Sequence, residues 1–499
     1  MPIPPSQAET VAFLTELSGA APVETHISLV FLGPRTAWKL RKAVRLSFLD
    51  FSDPAARHRF ALRELALNRP GAPGMYRDVV PVIRRADGRL GLGCAGGDPA
   101  RALDWVVRMA RVPAADFLDR RAAAGALAPS LLAEMGDAVA AYHAQCPIVR
   151  GGDPAAAMAA IVAGNALAAR EAGLDAASVA GWEQGVSDAL APLALWLAAR
   201  ARGGFVRRAH GDLHLGNLCR WRGRVAAFDA LEFDEALATI DLGYDLAFLL
   251  MDLDRRAGRA AANAVMNRYI ARTGDVGLLT GQAPFLSLRA MIRAHVAARS
   301  ADPAAAWYLA AAADYLTPAP VALVAVGGVP GSGKSTLARA LAPSLGRAPG
   351  AVVLRSDEIR KRQAGVAPEV KLPREAYSKA ASRAVFRTMA RDARRALAAG
   401  QAVLADATFL GAAERRAIRR AAGARAFAGL WLEVPLTVAA ARIAARRGDA
   451  SDATVAVLRA AAAPGRRPPR GWARLAAGER VGEAAAAALR AAGIAGVAP

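Results

Sequence analysis

The eight residues HGDLHLGN, at positions 210–217, carry the most informative polar pattern in this 499-residue chain. An acid, Asp212, stands five residues before an amide, Asn217, and a second acid, Asp229, follows in the segment FDALEF. Phosphoryl transfer uses one carboxylate to orient the acceptor hydroxyl, and an amide and another carboxylate to hold magnesium. An HGD tripeptide alone is compatible with an ordinary turn. The full pattern predicts a phosphoryl-transfer site with Asp212 as the catalytic base and Asn217 and Asp229 as Mg²⁺ ligands.

Two residues upstream of this segment extend the predicted site. Lys39 lies in TAWKL, which reads as a strand, and Glu64 lies in the helix that follows. A lysine at such a position neutralises nucleotide phosphates, and a glutamate on the next helix can pair with it and fix it. Lys42 is a nearby rival for this role, and a solvated surface pair is the alternative interpretation of Lys39 and Glu64.

A second motif, GVPGSGKS, occupies positions 328–335. It matches the P-loop pattern GxxxxGKS, and it follows an apolar strand-like run and precedes a helical stretch, as the motif requires. The backbone N–H groups of such a loop cradle phosphates, the lysine reaches the terminal phosphates, and the serine holds magnesium. The predicted nucleotide-binding residues of this motif are Gly328, Gly331, Gly333, Lys334, Ser335 and Thr336, with Ser335 also a metal ligand.

Two acids follow the next predicted strands of the same region. Asp357 stands in LRSDEIR and Asp406 in VLADATF. Both fall at the carboxyl edge of a parallel sheet, where ligands bind in open α/β folds. We predict Asp357 as a catalytic base and Asp406 as a metal-site acid; helix or turn capping is the alternative for each. Arginines 442, 446 and 447 form a candidate lid, with Arg446 assigned to the nucleotide, and a solvated helix face is the alternative.

The order of apolar runs predicts two domains of different architecture. The first part begins with a hairpin at 26–48, a helix at 54–69 and two strands at 78–84 and 104–112. Long helices follow at 115–145 and 154–201. A strand–loop–hairpin segment at 205–232 and further helices up to about 315 complete it. The segment TPAP breaks the last helix. Apolar runs then alternate with helical stretches, which is typical of a parallel α/β sheet. The sequence thus predicts an α+β domain at 1–317 and an α/β P-loop NTPase domain at 318–499.

Composition limits the partners and the compartment. The formal net charge is +22, from 65 basic and 43 acidic residues, but the basic residues are spread along the chain. This favours anionic phosphates as ligands over nucleic acid as the main partner. Three widely spaced cysteines predict no disulfide framework and suit a reducing, cytoplasmic location. The N-terminal residues show no signal-peptide pattern, and no apolar run reaches about 18 residues, so no membrane segment is expected. The oligomeric state is left open.

The first region resembles the aminoglycoside phosphotransferase family, a branch of the protein-kinase-like fold. HGDLHLGN is similar to the family's catalytic loop and FDALEF to its magnesium-binding segment, and the resemblance covers roughly residues 20–300. It implies the catalytic acid at Asp212 and the metal ligands at Asn217 and Asp229. One feature departs from the fold's pattern, because no GxGxxG phosphate-covering loop precedes Lys39 and only the Gly33-Pro34 turn is available. The acceptor region matches no antibiotic-binding pattern, so drug resistance is not implied.

The second region resembles small P-loop kinases of the gluconate-kinase and zeta-toxin-like kind, over about residues 320–460. GVPGSGKST, the Ser-Asp pair at 356–357, DATF and the arginine-rich lid-like segment carry this likeness. The fusion of both regions is similar to a bacterial family described as bifunctional aminoglycoside phosphotransferase/ATP-binding proteins. The resemblance implies ATP and Mg²⁺ as cofactors.

These patterns predict an ATP- and Mg²⁺-dependent phosphotransferase with two nucleotide sites and a small hydroxylated metabolite as acceptor. Three alternatives remain. The P-loop half is also compatible with a kinase of nucleic-acid ends or with a nucleotide-sensing regulatory ATPase module. The first domain is also compatible with a kinase of protein side chains. The acceptor itself is not encoded in the motifs, because variable loops and helices build acceptor pockets.

Overall fold

The computed structural model describes residues 3–25, 27–46, 49–462 and 468–494. The ends of the predicted hairpin, at 26, 47 and 48, lie outside the described residues, as do the stretches 463–467 and 495–499 of the predicted second domain. The chain forms two compact units. One comprises Met1–Leu127, Ala141–Gly151 and Arg200–Asp245, and the other Ala128–Ala140, Gly152–Ala199 and Leu246–Pro499. This division follows spatial contacts, and the boundary at 317/318 stays a prediction about independent folding.

The first unit contains an antiparallel sheet of six strands in the order β1-β2-β3-β8-β6-β7. Two-stranded ribbons pair β4 with β5, β9 with β12, and β10 with β11. The predicted hairpin is confirmed, because β2 and β3 pair with Lys39 opposite Val30. The strands are β1 (Val23–Glu24), β2 (Ser28–Leu32), β3 (Thr36–Arg41), β4 (Arg45–Leu46), β5 (Leu49–Asp50), β6 (Tyr76–Arg84), β7 (Leu90–Leu92), β8 (Ala102–Ala110), β9 (Val206–Arg208), β10 (Leu218–Trp221), β11 (Arg224–Ala227) and β12 (Thr239–Asp241).

Helices account for most of the remaining chain before residue 315. They are α1 (Ala8–Ser18), α2 (Pro54–Asn68), α3 (Leu118–Ala123), α4 (Pro129–Gln145), α5 (Pro154–Glu171), α6 (Ala176–Leu190), α7 (Ala194–Arg202), α8 (Glu235–Ala238), α9 (Leu242–Ala257), α10 (Arg259–Thr273), α11 (Gln282–Arg299) and α12 (Ala304–Asp314). The predicted helices at 115–145 and 154–201 are each divided. Gly125 and Gly173 adopt left-handed φ angles of 64° and 77°, which end the helices before them. None of the helices in the described ranges is both long and apolar enough to cross a membrane.

The P-loop region folds around a parallel sheet of five strands in the order β14-β15-β13-β16-β17. Its strands are β13 (Ala322–Gly328), β14 (Val352–Arg355), β15 (Val403–Asp406), β16 (Ala426–Glu433) and β17 (Ala473–Ala476). Its helices are α13 (Lys334–Leu341), α14 (Ser356–Gln363), α15 (Lys379–Ala398), α16 (Ala412–Ala422), α17 (Leu436–Ala445), α18 (Val455–Ala461) and α19 (Val481–Ala491). The predicted α/β architecture is confirmed. The sequence did not predict β17, a short run with a single buried residue.

Strand β14 lies at an edge of this sheet, and its outer backbone groups have no strand partner among the described residues. Helix α10 supplies the missing partners. The Asn267 side chain accepts a hydrogen bond from the Val353 N–H at 2.7 Å and donates one to the Ala351 carbonyl at 3.1 Å. Asn263 donates to the same carbonyl at 3.0 Å. The side-chain amides of Asn263 and Asn267 thus form hydrogen bonds with edge groups of β14 that a neighbouring strand would otherwise form.

Replacing Asn267 with Ala should lower the free energy of unfolding by about 1–3 kcal/mol, because the buried Val353 N–H loses its acceptor. Equilibrium denaturation of the full chain, followed by tryptophan fluorescence, to which Trp431 in β16 and its neighbour Trp472 contribute, measures the loss. Gln184→Ala is the matched control: it removes an exposed amide from α6 and should stay within about 0.5 kcal/mol of the parent. Equal stabilities of the two variants would show that α10 does not support the edge.

Candidate active sites

Lys39 lies in the middle of β3 and reaches two of the predicted site residues. Its Nζ atom is 2.9 Å from Glu64 Oε1, on α2, and 2.5 Å from Asp229 Oδ1, just after β11. Glu64 is fully buried and the Lys39 side chain is 11% exposed, which excludes a solvated surface pair. The rival, Lys42, binds Glu24 and the Thr25 carbonyl instead. Residues separated by up to 190 positions therefore meet at one ammonium group.

The charges of this cluster stabilise one another. Burial alone lowers the pKa of Lys39, but the carboxylates of Asp229 and Glu64 outweigh it, so the pKa of Lys39 lies far above its usual range. Burial raises the pKa of Asp229, and the Lys39 ammonium more than reverses this, so the pKa of Asp229 lies below its usual range. Lys39 and Asp229 are thus held as a charged pair. Such a pair suits a site for phosphate and a divalent metal.

Arg41 and Glu232 belong to the same cluster, although sequence reasoning missed both. The Arg41 guanidinium bridges Glu64 and Glu232, at 2.6 Å from the second, and Arg41 is only 1% exposed. Arg41 stands two residues after Lys39 on one strand, so the period of two places both side chains on the same face. That spacing was the signal available in the sequence. Glu232 follows Asp229 by three residues in FDALEF.

The predicted catalytic loop places Asp212 beside Asn217. The Asn217 amide nitrogen donates to the Asp212 carbonyl at 2.9 Å and to Asp212 Oδ2 at 3.0 Å, which leaves the amide oxygen for another partner. His214 Nε2 lies 3.5 Å from Asp212 Oδ2. His210 braces the loop through Nε2, 2.9 Å from the Phe228 carbonyl. Burial lowers the pKa of His210, so it donates this hydrogen bond as a neutral imidazole.

Asp245 anchors the start of this loop. Its carboxylate accepts hydrogen bonds from the backbone N–H groups of His210 at 3.0 Å and Gly211 at 2.9 Å, and lies 3.1 Å from His143 Nε2. In the sequence, the two acids of the DLGYD segment at 241–245 are typical of residues that cap or buttress the helix that follows. Asp241 does so, because it accepts from the Gly243 N–H at 2.7 Å. The expectation is wrong for Asp245, which sits in the first turn of α9 and serves the loop instead.

The turn between β2 and β3 does not form a phosphate-covering loop. A Cβ atom on Gly33 would lie 2.7 Å from the Trp38 ring, so the turn is packed against its own strand. The Trp38 ring thus lies directly against this turn.

The P-loop of the second site has the backbone that the motif requires. Gly328, Gly331 and Gly333 have φ angles of 139°, 80° and 98°, which L-residues rarely adopt. A Cβ atom at Gly331 would lie 2.6 Å from the Ala439 carbonyl, and one at Gly328 would lie 2.7 Å from the Leu432 carbonyl. Glycine is therefore needed at these positions for the loop to keep its shape.

The polar residues of the loop converge on Asp406. Ser335 Oγ donates to Asp406 Oδ2 at 2.5 Å, and the Lys334 Nζ donates to the Val329 carbonyl at 2.8 Å. Burial lowers the pKa of Lys334, partly offset by the charges of Asp406 and Asp357. The structure thus brings Lys334, Ser335 and Asp406 together. Thr336, the sixth predicted residue, lies exposed on the first turn of α13.

Arg355, at the end of β14, organises the acids of this site, and the sequence interpretation missed it. Its guanidinium lies 3.2 Å from Asp406 Oδ2, 3.0 Å from Glu358 Oε1 and 3.2 Å from Asp449 Oδ1. Asp357 is the next acid, in the first turn of α14. Burial raises the pKa of Asp357 in spite of the nearby Arg355. A carboxylate with a raised pKa is suited to accept a proton from a hydroxyl.

The arginines of the candidate lid differ in their surroundings. Arg446 is partly buried, and its Nη1 atom has no hydrogen-bond partner among the described atoms. Its charge acts on the pKa of Lys334. Arg442 and Arg447 are exposed, and Arg442 approaches the P-loop through the Ser332 carbonyl at 3.5 Å. The structure therefore places Arg446 beside the predicted phosphate site.

These donors fit a magnesium-bound nucleotide. The buried Ser332 Oγ and Arg446 Nη1 lack partners within the described part of the chain, and the charges of Asp406 and Asp357 partly offset the lowering of the Lys334 pKa by burial. Ser335 and Asp406 offer hard oxygen ligands, and Mg²⁺ is commonly held by one or two protein groups together with phosphate oxygens. No group of three or more His, Cys, Asp or Glu side chains in the described ranges forms an all-protein metal cage.

Comparisons with known proteins agree with the P-loop assignment. Residues 323–468 match the family model described as an AAA domain. The chain is 29% identical over 460 residues to an uncharacterized protein of Mycobacterium tuberculosis, covering 88% of this chain and 89% of the relative. A Mycobacterium bovis protein, also called uncharacterized, matches to the same extent. The P-loop fold predicted for the second region is thereby confirmed.

Three solved structures are similar to parts of the chain. A gluconokinase from Sinorhizobium meliloti 1021 is 21% identical, with a TM-score of 0.25, and covers 36% of this chain and 94% of its own. A glucosamine kinase is 22% identical, with a TM-score of 0.35 and coverage of 60% and 81%. A thermostable mutant of an aminoglycoside phosphotransferase is 14% identical, with a TM-score of 0.38 and coverage of 61% and 98%. The chain's own strand order shows a six-stranded antiparallel sheet among helices in the first unit, and a five-stranded parallel sheet with the P-loop in the second.

Proposed function

We propose that this chain is an ATP- and Mg²⁺-dependent phosphotransferase with two nucleotide sites, which transfers phosphoryl groups to a hydroxyl of a small metabolite. The observation that carries the proposal is the buried Lys39 ammonium, held 2.9 Å from Glu64 and 2.5 Å from Asp229. A lysine held between a buried carboxylate, Glu64, and the partly exposed carboxylate of Asp229 supports a site that handles phosphate and metal. When bound, ATP supplies the phosphoryl group and Mg²⁺ neutralises its charge.

At the first site, Lys39 orients the phosphates, and Glu64 keeps Lys39 in place. Asn217 and Asp229 offer oxygen ligands to the metal. Asp212 accepts the proton of the acceptor hydroxyl and aligns its oxygen, which is the main contribution a protein makes to phosphoryl transfer. Arg41, Glu232 and Asp245 act as positioning residues, because they hold these groups and touch no reacting atom in this scheme.

At the second site, the backbone N–H groups of the loop at 328–336, which Pro330 lacks, would surround the phosphates, and Lys334 and Arg446 would neutralise their terminal charge. Ser335 and Asp406 hold the metal. Asp357 takes the proton of the acceptor hydroxyl, a role that its raised pKa supports. The nucleotide-binding set proposed for this site is Gly328, Gly331, Gly333, Lys334, Ser335, Thr336 and Arg446.

A metabolite extract incubated with the full chain, ATP and Mg²⁺ tests the proposal. Mass spectrometry should find compounds heavier by one phosphate. The Asp212→Asn variant should lose the compounds phosphorylated at the first site, and the Lys334→Ala variant those phosphorylated at the second. Oligonucleotide 5′-hydroxyls serve as a parallel acceptor. If only oligonucleotides are phosphorylated, the acceptor is a nucleic-acid end and not a metabolite. If nucleotide binds but no acceptor is phosphorylated, the chain is a nucleotide sensor and not an enzyme.

The domain boundary at 317/318 is part of the proposal. Fragments 1–317 and 318–499 should each fold and bind one nucleotide, because each contains its own sheet and its own motif. The second fragment lacks Asn263 and Asn267, so it should unfold at lower denaturant than the P-loop region of the full chain. Calorimetric titration measures nucleotide binding by each fragment, and denaturation measures the stability of each fragment. A fragment that binds nucleotide only after the other is added would contradict independent folding.

A further inference from the structure

Helix α10 supports the strand that leads into the second site. It belongs to the same compact unit as the P-loop region, and its residues Asn263 and Asn267 bind the backbone of 351–353. Strand β14 ends at Arg355, and α14, which carries Asp357, begins directly after it. The elements that carry Arg355 and Asp357 are therefore attached to α10 at one end.

A cluster of four charged side chains attaches α10 to the segment at 364–373, which follows α14. Glu369 of this segment lies 2.6 Å from Arg268 Nη2 and 3.5 Å from Arg272 Nη2. Asp137, on α4, binds both guanidinium groups with both carboxylate oxygens, at distances of 2.5–2.8 Å. Burial raises the pKa of Asp137, but hydrogen bonds from the two arginines more than reverse this, so its pKa lies below its usual range. Asp137 thus holds both arginines in place for Glu369.

The same segment is fixed on its other side by Asp452. The Asp452 carboxylate accepts a hydrogen bond from the Leu372 N–H at 3.0 Å and one from the Tyr377 hydroxyl at 2.5 Å. It also lies 2.5 Å from the Nζ atom of Lys361, a fully buried residue of α14. The segment at 364–373 is therefore held between α10 and the chain that follows α17.

That chain reaches the proposed metal-site acid through Arg355. Asp449 Oδ1, three residues before Asp452, lies 3.2 Å from the Arg355 guanidinium. Arg355 lies 3.2 Å from Asp406 Oδ2, which accepts a hydrogen bond from Ser335 Oγ at 2.5 Å. A continuous series of polar contacts thus leads from the arginines of α10 to the second site.

We propose that Arg268 and Arg272 are positioning residues of the second site, which hold α14 and its Asp357 in place toward the acceptor through Glu369. The inference rests on the proposed function. In that scheme the P-loop and α13 bind the nucleotide, whereas the base belongs to α14, so loss of the Glu369 contact should displace the base and not the nucleotide. Transfer rates depend steeply on such placement, because a displacement of about 1 Å can lower a rate substantially.

Phosphate transfer by the second site tests this, measured on the full chain with labelled ATP, Mg²⁺ and a low-molecular-mass metabolite extract as the acceptor. Asp212→Asn is present throughout and silences the first site. Arg268→Gln and Glu369→Gln should each slow transfer by about three- to tenfold. Their effects should combine less than multiplicatively in the double variant, because both changes break the same contact. Glu375→Gln, which neutralises an exposed carboxylate between α14 and α15, should transfer like the parent.

Nucleotide affinity separates a positioning role from general support of the fold. Calorimetry with a non-hydrolysable ATP analogue should find parental affinity in both variants for the binding event that Lys334→Ala removes. Parental transfer rates in both variants would overturn the inference, and so would a loss of affinity that accompanies the loss of rate; the proposed function survives either result. A parent chain that transfers no phosphate from its second site would overturn the proposed function, and the inference with it.

Discussion

Asp212→Asn should reduce phosphoryl transfer from the first site by about 10²–10⁴-fold. The change removes the carboxylate that takes the acceptor proton. Nucleotide affinity should remain nearly unchanged, because Lys39, Asn217 and Asp229 hold phosphates and metal. Single-turnover transfer, measured with the second site silenced by Lys334→Ala, gives the rate, and calorimetry gives the affinity.

Asp188→Asn is the matched control, because it neutralises an exposed carboxylate on α6 that accepts a hydrogen bond from Gln184 in the same helix. It should leave both quantities unchanged. Asparagine at 212 can keep the contact with the Asn217 amide through its carbonyl oxygen, so the loop should keep its shape. Transfer at the parental rate in Asp212→Asn would remove Asp212 from the catalytic role.

Lys334→Ala should weaken nucleotide binding at the second site by about tenfold to more than a hundredfold, because a charge-assisted contact contributes about 1.5–3 kcal/mol. The Lys334 Nζ atom donates a hydrogen bond to the Val329 carbonyl, and its charge faces the proposed phosphate site. Titration with a non-hydrolysable ATP analogue should fall from two binding events per chain to one.

Lys371→Ala, which removes an exposed lysine of the same region, should leave both events in place. The first site should not respond to the loss of Lys334, because it has its own lysine and metal ligands. A single event in the parent chain that survives Lys334→Ala would show that the P-loop is not a working nucleotide site. Loss of both events together would show that the two sites are coupled.

The motif residues were predictable because their chemistry constrains spacing along the chain. Lys39, Glu64 and Asp229 come together as the order of elements implied, and so do Lys334, Ser335 and Asp406. The residues that support them were harder to find. Asp245 reads as a helix residue, and only the fold shows that its carboxylate turns back to two N–H groups of the catalytic loop. No sequence motif marks Arg355, because its three acidic partners come from three separate segments of the chain.

The support of β14 by Asn267 has a consequence for biosynthesis. A ribosome releases α10 well before β14, so the amide that covers the sheet edge is present when that edge first forms. An uncovered edge strand is a template for pairing with another chain. We therefore expect the order of the two halves in the gene to protect nascent P-loop domains from one another. A transposed gene with the P-loop half first should yield more aggregate during translation.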